Sequence, residues 1–197
     1  DGGYIGVGNS WEGNSTQFTD FMVIKTDANG VEQWQQVIGT NNKYDLAVCV
    51  AEVSDGYVVG GGLHQSGNQQ RALVKFDFNG NIVWQNTYPG TRAGCIRGID
   101  IDANGNIIAT GYENSTEKGF LFIAEESTGT IMKTNAAGTV QWDKTISAPQ
   151  GTKVKIKPDG TLAIASTGWY FNGGDHQDVV LVLTDSLGNE TGSNNYG

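Results

Sequence analysis

The stretch KTDANGVEQW, residues 25–34, decides the fold because the chain repeats it. It returns as KFDFNGNIVW at 75–84, as KTNAAGTVQW at 133–142 and, in degenerate form, as LTDSLGNETG at 183–192. The third residue of each copy falls at 27, 77, 135 and 185, so the copies follow one another at steps of 50, 58 and 50 residues. A fixed period of this length indicates an architecture built from structural repeats.

A second signature precedes each copy: DGGYIGVG at 1–8, DGYVVGGG at 55–62, NGNIIATG at 104–111 and DGTLAIAS at 159–166. Each combines a two-residue turn with a short apolar run, which is typical of a β-hairpin. In the second repeat the pattern predicts four strands, A to D, at 46–53, 57–63, 72–77 and 81–88. The composition, with 29 Gly and 17 % charged residues, favours short strands and turns over helices.

A period near 50 residues lies in the range of propeller blades. We therefore predict an all-β fold, a β-propeller of about four four-stranded antiparallel blades. Blade 1 covers about 1–43 and lacks strand A, blade 2 about 44–91, blade 3 about 92–149 and blade 4 about 150–197. Because a closed ring completes a blade with strands from both termini, we expect a part of a longer chain of about six to eight blades. A four-bladed ring with one incomplete blade is the alternative.

The repeated motif has a structural interpretation. The Asp accepts a backbone hydrogen bond that forms the turn, the Gly supplies a positive φ, and the Trp fills the space between neighbouring sheets. The motif positions are Asp27, Gly30, Trp34, Asp77, Gly80, Trp84, Asn135, Gly138, Trp142, Asp185 and Gly188. Calcium binding at these turns is disfavoured, since each offers at most one carboxylate and a calcium loop needs several oxygen ligands.

Blades written DGGY…K-x-D-x-x-G-x-x-x-W resemble the repeat propellers of large secreted bacterial surface proteins, over essentially the whole chain. The resemblance implies an extracellular or cell-surface location beside adhesion or sugar-binding modules. The fourth repeat departs from the motif, with Leu183 in place of Lys and Gly192 in place of Trp. Sialidase Asp-boxes and quinoprotein docking motifs place the Gly at a different distance from the Asp, so neither activity is carried over.

The net charge of −9, with 12 Lys and Arg, disfavours nucleic acid and anionic membranes as partners. No apolar run is long enough to span a bilayer, so we expect no membrane insertion. Cys49 and Cys95 are out of register on neighbouring A strands, which predicts two free, buried thiols. We expect no cofactor.

Catalytic motifs are missing from the sequence, so we expect no enzyme. Only His64 and His176 could act as general bases near neutral pH. Adjacent Glu125 and Glu126 point to opposite faces of an extended chain, which does not suit a glycosidase pair. Asp175, His176 and Asp178 are weak metal candidates beside the preferred interpretation of a polar loop.

The B–C loops carry aromatic residues beside polar side chains, which suits a sugar ligand. The candidate ligand-binding residues are Trp11, Phe18, Tyr112, Trp169, Tyr170 and Phe171. Local packing is the competing interpretation of these rings, and partial exposure of Trp11 and Trp169 is the prediction that separates the two. Glycosylation sequons begin at Asn14, Asn114 and Asn189.

Strand A of blade 4 places Lys153, Lys155 and Lys157 on one face, opposite Asp100 and Asp102 of blade 3. We predict ion pairs between some of these lysines and aspartates.

These observations favour a non-catalytic extracellular binding or structural module of a surface or secreted protein. Its partners would be an extracellular glycan or protein and the remaining blades of a longer chain. The first alternative is a segment of a secreted carbohydrate-active enzyme with its catalytic residues elsewhere. An intracellular interaction scaffold is the second alternative, disfavoured by the acidity.

Overall fold

The computed structural model describes residues 2–11, 18–116, 127–169 and 177–196, with the side chains of 167–178 excepted. These residues contain fifteen β-strands and no helix. The all-β prediction is therefore confirmed. Several candidates named from the sequence lie outside the described residues: Asn14, Glu125, Glu126, Tyr170, Phe171, Asp175 and His176.

The strands form four antiparallel sheets in chain order. Sheet 1 has three strands, β1 (Tyr4–Trp11), β2 (Thr19–Thr26) and β3 (Glu32–Ile38). Sheet 2 contains β4 (Leu46–Val53), β5 (Gly56–Gln65), β6 (Asn68–Phe76) and β7 (Ile82–Tyr88). Sheet 3 contains β8 (Ala93–Ile101), β9 (Ile107–Ser115), β10 (Thr128–Thr134) and β11 (Val140–Thr145). Sheet 4 contains β12 (Gly151–Ile156), β13 (Leu162–Trp169), β14 (Gln177–Thr184) and β15 (Glu190–Tyr196).

The D-x-x-G turns form as predicted. Asp27 Oδ1 accepts hydrogen bonds from the backbone N–H groups of Asn29 (2.8 Å) and Val31 (2.9 Å). The same pair of bonds is made by the side chains of Asp77, Asn135 and Asp185. The turn glycines have φ between 76° and 85°, a region that a Cβ disfavours. Each turn is followed by a shift in register, so it closes a hairpin with a bulge.

Consecutive sheets pack face to face through three apolar clusters. Side chains of β2, with Phe21 and Val23 among them, pack on Ala72, Val74 and Phe76 of β6. A second cluster joins sheets 2 and 3, and a third joins sheets 3 and 4. On β6, β10 and β14, side chains at odd offsets of one, three or five residues before the turn face the preceding sheet. On β2, β6 and β10, side chains at even offsets face the following sheet.

The motif tryptophans lie between sheets, as predicted. A Cβ added at Gly80 would lie 2.7 Å from the Trp34 ring, so glycine at this position lets the ring rest on the next repeat's turn. The same contact joins Trp84 to Gly138 and Trp142 to Gly188. Trp34 Nε1–H also donates to the Phe78 carbonyl oxygen (3.0 Å), which satisfies the polar end of the ring.

Candidate functional site

The edge that carries the A–B and C–D turns contains an open cleft between sheets 2 and 3. Its volume is about 660 Å³, within the range of small-molecule sites. Residues 52–55 of one A–B turn form one wall and residues 102–105 of the next form the other. A smaller cleft of about 330 Å³ lies at the same edge between sheets 3 and 4. These clefts could not be predicted from the sequence, because the short, uniform turns indicate a purely structural edge.

Charged side chains line these clefts in pairs. Lys75 Nζ lies 2.7 Å from Asp55 Oδ1, and Lys133 Nζ lies 2.9 Å from Asp102 Oδ2. Both lysines occupy the first position of the repeated ten-residue motif. The motif lysine therefore links strand C to the A–B turn of its own sheet. The resulting surface offers carboxylate oxygens and ammonium groups that suit a small polar ligand.

Asp102 has the most strongly bonded carboxylate of this edge. Burial alone would raise its pKa, but hydrogen bonds from the Asn106 side chain, from Lys133 and from two backbone N–H groups lower the pKa to about 2. Asn106 Nδ2 lies 2.8 Å from Asp102 Oδ2. Asp102 therefore stays ionised throughout the physiological range.

The predicted lysine–aspartate contact is confirmed for one pair, which joins sheets 3 and 4. Lys155 Nζ lies 3.0 Å from Asp100 Oδ2, and Asp100 Oδ2 also accepts the Ile156 backbone N–H (2.8 Å). Lys157 lies instead beside Asp159 in its own turn, at 3.7 Å. Asp102 pairs with Lys133 of its own sheet rather than with a lysine of the next.

A buried arginine, which the repeat pattern does not predict, joins sheets 2 and 3. The Arg71 guanidinium makes a bidentate contact with Asp143 (2.8 and 2.9 Å) and lies 3.1 Å from Glu113. Arg71 comes from β6, whereas both carboxylates come from sheet 3. Its Nε has no hydrogen-bond partner within the described residues. The triad holds the two sheets together through charge-assisted bonds.

The opposite edge of the sheets carries the aromatic candidates. Trp11, the last residue of β1, is 58 % exposed, as predicted. Phe18 is half-buried and packs edge-to-face on Tyr44, with ring centroids 5.4 Å apart. Tyr112, a candidate ligand-binding residue, is 4 % exposed and packs with Cys95, so its ring does not face a ligand. The side chains of Trp169 and Asp178 lie outside the described residues.

Tyr112 is buried because it lies inside β9 rather than in a B–C loop, and it pairs with Gly129 of β10. Register shifts between Ala93 and Cys95 and between Ile96 and Gly98 place Cys95 opposite Tyr112. Burial raises the pKa of the Tyr112 hydroxyl well above its usual range. Tyr112 is thus a core residue, and the local-packing interpretation holds for it.

The buried Asp45 carboxylate holds the segment that connects sheets 1 and 2 through hydrogen bonds to the backbone. It accepts hydrogen bonds from the backbone N–H of Thr40 (2.6 Å) and of His64. Desolvation raises its pKa, and these backbone bonds oppose the rise. His64 thus contributes its backbone to a structural network.

Cys49 and Cys95 are free, as predicted. Cys95 is buried, and Cys49 is partly exposed as a residue although its Sγ contacts the Gly60 carbonyl oxygen at 3.7 Å. Burial raises the pKa of both thiols to about 12. Neither thiol has the lowered pKa of a reactive cysteine.

The structure describes two of the sequon asparagines, and the side chains of both make hydrogen bonds within the protein. Asn114 Oδ1 accepts from Thr91 Oγ1 (2.5 Å), and Asn114 has a positive φ of 62°. Asn189 Nδ2 donates to Asp185 Oδ2 (2.7 Å). Glycosylation of Asn14, Asn114 and Asn189 stays a prediction.

Within the described residues, no group of three or more His, Cys, Asp or Glu side chains is arranged to hold a metal ion. The same part of the chain contains no helix of the length and apolar character needed to cross a membrane.

Comparison with known proteins does not extend these observations. No protein-family model matches the chain, and no curated protein matches its sequence.

Proposed function

We propose that the chain is a run of consecutive β-propeller blades that serves as a non-catalytic, extracellular binding or structural module. The observation that carries the proposal is the repeated contact between the tryptophan of one sheet and the turn glycine of the next. The Arg71 triad adds a polar contact between sheets 2 and 3. A rigid stack of this kind suits a protein that spaces other modules and presents its loops to partners.

Among the possible ligand classes, a glycan fits the exposed side chains best. Trp11 presents a largely exposed indole at the end of a strand whose backbone is fixed by its pairing with β2. An indole face can stack on the apolar face of a pyranose ring. Presentation of the ring from a strand limits the conformational entropy that binding would cost.

The proposed binding is tested on a glycan array with the full chain and with Trp11→Ala. Leu187→Ala is the matched control, because Leu187 is an equally exposed apolar residue (61 %) at the opposite edge. We expect binding to at least one glycan class that Trp11→Ala weakens about tenfold or more and Leu187→Ala leaves unchanged. Equal binding by Trp11→Ala and the unmodified chain would contradict the assignment of Trp11.

A further inference from the structure

Sheet 1 has one face that no described residue covers. We define this open face by Tyr4, Gly8, Met22, Ile24 and Gly30. Met22 and Ile24 lie five and three residues before the turn, the offsets that face a preceding sheet in the other repeats. Both are partly exposed, whereas their counterparts in sheets 2, 3 and 4 are buried.

Tyr4 shows the same contrast most clearly. Tyr4 pairs with Thr26 one residue before the turn, and the residues that pair in the same way are Tyr57, Ile107 and Leu162. Tyr4 is 64 % exposed, whereas these three are 4 %, 0 % and 2 % exposed. A large aromatic ring therefore points out of sheet 1 where every other sheet buries the equivalent residue.

Gly30 supplies a second, independent observation. Gly80, Gly138 and Gly188 are buried under a tryptophan, but a Cβ added at Gly30 meets no described atom within 4 Å. Its φ of 82° and its turn hydrogen bonds match the other three. Gly8 is likewise open, whereas a Cβ at its counterpart Gly61 would lie 3.0 Å from the Phe21 ring of the preceding sheet.

We propose that the open face of sheet 1 docks a further four-stranded sheet of this repeat type, whose strand-D tryptophan rests on Gly30. By analogy with Trp34 and Phe78, the indole N–H of that tryptophan donates to the Ala28 carbonyl oxygen. The interface between consecutive sheets, present three times in the chain, is the basis for this choice of partner. The inference rests on the proposed function of the chain as a repeat scaffold.

Sheet 4 of a second copy of this chain cannot supply the tryptophan that rests on Gly30. Its strand D has Gly192 where the other repeats have tryptophan. Trp34, Trp84 and Trp142 are each already in contact with the turn glycine of the next sheet. The occupant is therefore a separate repeat that keeps the tryptophan.

A fusion tests the proposal on the full chain. Residues 92–158, which supply a tryptophan-bearing sheet and the A strand that follows it, are placed directly before Asp1. The junction is natural, since Asp159–Gly160 precedes Leu162 as Asp1–Gly2 precedes Tyr4. Tyr4→Cys in the original portion reports the exposure of the open face through its maleimide labelling rate, and peptide mass spectrometry separates its signal from Cys49 and Cys95.

We expect labelling at position 4 to slow at least about tenfold in this fusion, because the added sheet covers the face. A control fusion that adds only residues 150–158 provides the edge strand without a covering sheet and should label like the unfused chain. Trp142→Ala in the added copy should restore much of the rate. Equal labelling of the two folded fusions would overturn the proposal.

A second variant keeps the test independent of whether the fusion folds. Gly192→Trp in the unfused chain gives sheet 4 the missing ring, so labelling at position 4 should slow as the protein concentration rises. Such slowing without Gly192→Trp would overturn the proposal by showing that a second copy already occupies the face. Neither result changes the glycan-array comparison of Trp11→Ala, so failure of this inference is distinct from failure of the proposed function.

Discussion

At the scale of single residues, ionisation of the Asp102 carboxyl stabilises the folded state. Four hydrogen bonds, two from backbone N–H groups and two from the Asn106 side chain, converge on its carboxylate together with Lys133. Its ordinary pKa is 3.8, and in the folded protein its pKa is about 2. Because the folded-state pKa is the lower one, ionised Asp102 stabilises the fold above pH 4, and this contribution is lost as the pH falls through 2.

Asp102→Asn should therefore reduce the acid sensitivity of unfolding. We expect the free energy of unfolding to fall by about 1–2 kcal/mol at pH 7 and by less near pH 2, where the contribution of the ionised carboxyl is being lost. Lys133→Met should give a smaller loss because the Asn106 bonds remain. Urea titrations at several pH values measure the free energy of unfolding of each variant. A loss for Asp102→Asn that does not depend on pH would contradict the assignment.

The turn glycines allow a matched comparison. Gly30→Ala and Gly138→Ala introduce the same strain at positive φ, about 1 kcal/mol each. At position 138 the new Cβ would also meet Asn86 and the Trp84 ring, 3.0 Å away, whereas at position 30 it meets open space. We expect Gly138→Ala to destabilise the chain by about 1–3 kcal/mol more than Gly30→Ala in chemical denaturation. Equal losses would show that the tryptophan does not rest on the turn.

At the scale of strands and sheets, the sequence predicted what the repeats share and missed what distinguishes them. The turns follow from Asp, Gly and residue spacing, and the tryptophan positions follow from the same motif. The repeat pattern does not predict the Arg71 ion pairs, because the residues at the equivalent position of the other repeats are uncharged. These residues are Phe21, Gly129 and Val179. The prediction for Tyr112 is wrong because the apolar run does not show where a strand ends, and β9 continues past Tyr112 to Ser115. The clefts depend on the separation of two sheets, which no local pattern encodes.

The Arg71 triad should contribute measurably to the contact between sheets 2 and 3. Arg71→Met leaves Asp143 and Glu113 without their partner, so we expect a loss of about 3 kcal/mol in the free energy of unfolding. Arg71→Lys cannot make the bidentate contact and should recover part of the loss. Lys43→Met, at an exposed position, is the control and should stay within about 0.5 kcal/mol. An Arg71→Met loss as small as that of Lys43→Met would show that the triad does not hold the sheets together.

At the scale of the whole molecule, the alkylation rates of the two cysteines show whether neighbouring sheets remain packed together. Cys49 packs in the cluster between sheets 2 and 3, and Cys95 is buried in β8 of sheet 3. With thiol pKa values of about 12, we expect both to resist alkylation at pH 8 in the native protein. Both should become reactive at the same denaturant concentration. Labelling of Cys49 well below the unfolding midpoint would show that sheets 2 and 3 separate before the stack unfolds.

The four sheets form one continuous stack in which each motif tryptophan, Trp34, Trp84 or Trp142, rests on the turn glycine of the next repeat. Proton chemical shifts and nuclear Overhauser effects of the glycine Hα atoms test it directly, because an indole ring shifts protons beneath it upfield. We expect upfield-shifted Hα resonances at Gly80, Gly138 and Gly188, each with Overhauser contacts to one tryptophan, and an ordinary shift at Gly30. Four equivalent glycines, or shifted resonances without contacts to Trp34, Trp84 and Trp142, would contradict it.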